Sequence, residues 1–135
     1  MRDYLTPAVA GDGNGGLAIF GRGPRVDTDL AASLLDSASG TVSTTQSIVA
    51  TVDSQWDPVL THGDAATPFL VSWLDTRHGS SAVYGSRLGT NRLALDGTGV
   101  LLSFALNKEN EPAVAASAAG FLVAWIDSRD GGNNV

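Results

Sequence analysis

The chain contains no cysteine, which excludes disulfides and thiolate metal sites and leaves the redox compartment open. Positive charge is scarce. Lys108 is the single lysine, and 8 Lys and Arg stand against 14 Asp and Glu, for a net charge of −6. A phosphate backbone would be repelled and finds no basic cluster to neutralise it, so neither nucleic acid nor an anionic membrane surface is an expected partner. Charged residues make up only 16%, so the surface relies on hydroxyls, amides and backbone more than on ion pairs. No apolar run approaches the roughly 18 residues of a membrane span, so no membrane insertion is expected. The N-terminus shows no charged segment leading into an apolar one, so no signal peptide is visible in this sequence. The two histidines, His62 and His78, lack metal-ligand spacing, and no metal or cofactor is expected.

What is present is a repeat. The 135 residues, 43% hydrophobic with 16 glycines, suffice for one domain with a core and frequent turns. A proline, an aromatic residue and a leucine recur in order: Pro7, Phe20, Leu35; then Pro58, Trp73, Leu88; then Pro112, Trp125. The proline-to-aromatic steps are 13, 15 and 13 residues, and both aromatic-to-leucine steps are 15. The landmark prolines Pro7, Pro58 and Pro112 lie 51 and 54 residues apart, a period that marks stacked units. The approximate units within this single repeat domain are 4–54, 55–108 and 109–135, the last incomplete.

Four short strands are predicted per unit. The first is Pro58–Thr61, matched by 7–10 and 112–115, with proline suited to a strand's first residue. Turns follow at Gly63-Asp64, at Ala119-Gly120 and in the glycine-rich stretch 11–16. The second strand carries the strongest signal: Phe69, Val71 and Trp73 point one way, and Leu70, Ser72 and Leu74 the other. In the third unit Phe121, Val123 and Trp125 oppose Leu122, Ala124 and Ile126. Apolar residues on both faces predict burial on both faces. The third strand is Ala82–Leu88. Its counterpart at 30–35 would also suit a helical turn. The fourth lies near Val100–Phe104 and Ser47–Thr51, after a turn at Leu95–Gly99.

The fold class expected is all-β, built of β-propeller-type blades of four antiparallel strands, about two and a half per chain. A β-sandwich is the competing architecture, but it would show one polar face and needs no repeat. The pattern Pro-x-Val-Ala, Phe-Leu-Val-x-Trp-x-Asp-x-Arg, Tyr-Gly-x-Arg-Leu, Leu-Asp-x-x-Gly resembles a β-propeller-like repeat of large secreted or cell-surface bacterial proteins. The second unit carries all of it: Pro58, Phe69 to Arg77, Tyr84 to Leu88 and Leu95 to Gly99. The third carries it to Arg129, and the first departs, with Ile19-Phe20-Gly21-Arg22 in place of the tryptophan motif. The resemblance implies a secreted or surface location and binding or spacer modules, and no particular chemistry.

The repeated motif is Trp73, Asp75, Arg77 and Trp125, Asp127, Arg129. Two arginines on one rim are candidates for an anionic ligand; alternatively, each Asp accepts backbone N–H bonds in its turn and each Arg braces its blade. Trp56 is a candidate sugar platform or a packing residue. Asp12 and Asn14 sit in a loop faintly like a calcium loop but lack its other ligands, and a glycine-rich turn is the simpler reading. A Ser–His–Asp triad is not signalled, because neither Ser80 nor Ser81 lies in a nucleophile-elbow motif.

The expected function is therefore non-enzymatic: a repeat module for interaction or scaffolding, with a protein or glycan partner. The alternatives are a lectin-type carbohydrate-binding module using Trp56, Arg77 and Arg129, and a sialidase- or glycosidase-like propeller remnant using Arg77 and Arg129. Against the latter, no Tyr–Glu nucleophile pair and no Ser-x-Asp-x-Gly-x-x-Trp box is recognisable. One chain is not expected to close a ring of typically about four to eight blades. It is expected to be a fragment, an open stack, or a homo-oligomer completing the propeller with about five units in two chains.

Overall fold

The computed structural model describes residues 6–23, 27–103, 109–128 and 135. Every regular element among them is a strand, and every pairing is antiparallel. Strands β1 (Ala8–Gly11), β2 (Gly15–Arg22), β3 (Asp29–Asp36) and β4 (Gln46–Val49) form one four-stranded sheet in sequential order. Strands β5 (Gln55–His62), β6 (Phe69–Asp75), β7 (Ala82–Leu88) and β8 (Val100–Ser103) form a second of the same order. Strands β9 (Glu109–Ser117) and β10 (Gly120–Asp127) pair as a third, two-stranded sheet. The ambiguous segment 30–35 is strand, because every residue of β2 from Gly15 to Arg22 has a partner in β3. Phe104, at the expected end of the fourth strand, lies outside the described residues.

All seven residues of β6 are buried, as its two apolar faces predict. Phe69, Val71 and Trp73 join one core cluster with Leu17 and Ile19 of β2 and Leu30 and Ala32 of β3. The first two sheets therefore share one core, and β5 is the strand that runs closest to the first sheet. The opposite face of β6, with Leu70 and Leu74, is covered on the side where β9 packs. In the third unit the expectation fails. Leu122 is 67% exposed and Trp125 only half-buried, because among the described residues β10 has no strand beyond it and no sheet over its outer face. Apolar pattern gives the capacity for burial; a neighbouring sheet has to supply it.

In the second and third units the first strand starts earlier than its proline marks, whereas β1 starts at Ala8, just after Pro7. β5 and β9 begin three residues upstream, at Gln55 and Glu109, and bulge at the proline. Asp57 and Glu111, each just before it, take positive φ values of 48° and 50°. Proline's missing N–H falls at the bulge, where the ladder has no use for it.

The sheets join in an equivalent way twice. Gln55 N–H donates to the Thr28 carbonyl at 2.7 Å, just ahead of β3, and Glu109 N–H donates to the Ser81 carbonyl at 3.4 Å, just ahead of β7. Both side chains are fully buried. The Glu109 carboxylate accepts from Val83 N–H at 2.9 Å, at the β7–β8 bulge, and from the Ser103 hydroxyl. Further along the second seam, Gly63 has no room for a Cβ, which would sit 2.5 Å from Cζ of Phe121 in β10.

Candidate functional site

Two places concentrate polar chemistry, at opposite ends of β6. At its C-terminal end lies the Trp-x-Asp-x-Arg motif. Because side chains alternate along a strand, Trp73 and Asp75 share a face. The Trp73 indole N–H donates to Asp75 Oδ2 at 3.1 Å, and Arg77 N–H donates to Asp75 Oδ1 at 2.9 Å. The Arg77 guanidinium pairs with the same carboxylate, donates to the Thr98 carbonyl at 2.9 Å, and lies 4.1 Å over the Tyr84 ring. Asp75 is 0% exposed, and its bond raises the already high Arg77 pKa further. Burial pushes the Tyr84 hydroxyl up, against a smaller opposing pull from Arg77.

The other motif residues close the same circuit. Trp73 stacks on Tyr84 with ring centroids 6.0 Å apart. Gly99 abuts the indole, and Arg87 pairs with Asp96, whose carboxylate also accepts Arg87 N–H at 2.8 Å. In the third unit Asp127 is likewise buried and faces Glu109 across the ladder, as Asp75 faces Gln55. Arg129 lies outside the described residues. Trp56 is half-buried on β5, opposite Leu74. His78 is exposed and stacks against Tyr84, and the buried Ser81 hydroxyl donates to the Glu109 carbonyl.

A cleft of about 380 Å³ lies at the other end of β6, where the first and second sheets meet. Its walls are mostly turns: Asp12 and Asn14 between β1 and β2, Asp64, Ala65 and Pro68 between β5 and β6 with His62 at the end of β5, and Thr90 and Arg92 after β7. Asp12 accepts Asn14 N–H at 2.9 Å, the bond that does most to lower its pKa. Asp64 accepts Ala66 and Thr67 N–H at 2.9 and 2.7 Å. These bonds make both carboxylates turn-formers and fix their direction. Arg92 reaches across the seam to Asp12 at 3.6 Å, a loose pair, and its buried Nε has no hydrogen-bond partner. His62 meets Phe69 edge-on at 5.3 Å. Sequence reasoning missed this cleft, although Gly11-Asp12 and Gly63-Asp64 repeat in the equivalent turn. Among the described residues no group of three His, Cys, Asp or Glu side chains could hold a metal ion.

Asp12, Asp36 and Asp96 all have lowered pKa values, the last chiefly through its hydrogen bond from Arg87. A lowered folded pKa stabilises the fold in full above the unfolded value of about 3.9 and is lost as pH falls through the folded value. The urea midpoint is therefore expected to drop on acidification below pH ~4, less steeply in Arg87→Met. A midpoint flat across that range would contradict the assignment.

Compared with known proteins, the chain matches no family model, no curated protein and no solved structure.

Proposed function

We propose that the chain is a non-enzymatic, β-propeller-like repeat module that serves interaction or scaffolding in a secreted or surface protein. The observation that carries this reading is the hydrogen-bonded circuit of the motif, which leaves Arg77 Nε as its one buried orphan among the described motif atoms. Asp75 and Arg77 satisfy each other, the Trp73 indole, the Arg77 backbone N–H and the Thr98 carbonyl within one sheet. A residue that recurs with the unit and bonds within the unit serves the unit. Two sheets of identical strand order, joined to their successors by equivalent bonds from Gln55 and Glu109, support reading them as stacked blades.

Turnover assays with fluorogenic glycosides and sialosides test the reading. No turnover above background is expected; turnover abolished by Arg77→Ala would support the glycosidase alternative instead. Self-association is part of the proposal, because β10 presents Leu122 on an edge that no described strand covers. Sedimentation at high concentration is expected to show species heavier than the 13.8 kDa chain, and a strict monomer would count against completion of a ring by further copies.

A further inference from the structure

The cleft between the first two sheets holds polar groups that the fold does not use. Among the described residues, neither ring nitrogen of His62 and no side-chain atom of Asn14 or Thr90 is hydrogen-bonded within the protein, and Arg92 Nε is buried without a partner. At the other end of β6 the carboxylate of Asp75 is filled by three donors, although Arg77 Nε is buried there without a partner as well. We propose that this cleft is a binding site for a neutral saccharide. The volume of about 380 Å³ falls in the range of small-ligand sites, roughly 300–1,000 Å³.

The chemistry of the lining selects the ligand class. A sugar hydroxyl both donates and accepts, so its site needs both kinds of partner converging from different directions. Asp12 and Asp64 offer acceptors whose orientation is fixed by their turns. Arg92, His62 and Asn14 offer donors. The 3.6 Å gap between Arg92 and Asp12 is too long for a hydrogen bond, so a ligand hydroxyl gains by bridging the two without breaking a strong pair. Two carboxylates against one guanidinium disfavour anions, which sets this site apart from an arginine-lined site for sialic acid or phosphate. The inference goes beyond the scaffold reading and does not rest on it, because it uses no residue of the tryptophan motif.

The test is amide chemical-shift mapping of the chain with methyl glycosides of glucose, galactose, mannose and N-acetylglucosamine, beside methyl sialoside and ethylammonium. At least one neutral glycoside is expected to shift residues 12–14, 62–67 and 90–92 saturably at millimolar concentration. Arg92→Asn tolerates the positive φ of 63° at that position, and Asp64→Asn keeps the oxygen that forms the turn. Each is expected to weaken binding at least tenfold while leaving the remaining spectrum in place. The proposal is overturned if no neutral glycoside shifts these residues, if the shifts survive both substitutions, or if only sialoside or ethylammonium binds there.

Discussion

Asp75→Ala is expected to lower the unfolding free energy by about 3–5 kcal/mol, the cost of removing one partner from a buried ion pair. The side chain is 0% exposed and accepts from the Trp73 indole, the Arg77 backbone and the Arg77 guanidinium. Its loss orphans three donors at once. Arg77→Ala removes a side chain 16% exposed and leaves Asp75 with its two N–H donors, so a smaller cost, about 1–3 kcal/mol, is expected. A small domain has roughly 5–15 kcal/mol in total, so the alanine at 75 puts folding itself in question. Asp75→Asn, which retains the shape and an acceptor, is expected to fall between the two. Urea unfolding of all three variants checks the order; an Arg77→Ala variant less stable than Asp75→Ala would contradict it.

Gly99→Ala is the second large effect, expected at about 3 kcal/mol from overpacking and left-handed strain together. A Cβ here would lie 2.4 Å from Cη2 of Trp73, and the residue has φ of +99°. The indole cannot retreat, because Asp75 holds its N–H and Tyr84 lies along its face. Gly97 is the comparison: its φ is +60° but a Cβ would meet nothing within 4 Å, so Gly97→Ala carries only the strain, about 1 kcal/mol. In a Trp73→Leu background the steric share of Gly99→Ala is expected to vanish and the two substitutions to be strongly non-additive. Additive costs would mean that the glycine does not serve the indole.

These effects explain why so much of the second unit was legible. The alternation in β6 and the span Ala82–Leu88 follow from side-chain period and turn residues, which are local. The segment 30–35 reads as strand or helical turn, because alanine and leucine fit both states; pairing with β2 decides it. The bulges at Asp57-Pro58 and Glu111-Pro112 were hidden for another reason. A residue before proline ordinarily avoids helical backbone and stays extended, so two acidic residues in left-handed conformation run against the local rule.

The brace was legible as one of two readings of Asp-x-Arg, since the spacing places both residues at a strand end without saying which group receives the guanidinium. The Thr98 carbonyl does, from a turn 21 positions away. The cleft was illegible because its walls come from turns as distant as Asp12 and Arg92, which only the stacking of two sheets brings within 3.6 Å. The exposure of β10 is not legible, because sequence records an apolar face and not its cover.

The reading that the repeated motif is consumed by the fold is tested most directly by hydrogen exchange at the three tryptophan indoles. The Trp73 N–H, buried and bonded to Asp75, is expected to exchange far more slowly than those of the half-buried Trp56 and Trp125, and to lose that protection in Asp75→Ala. A Trp73 indole that exchanges as fast as the other two in the unmodified chain would contradict the account.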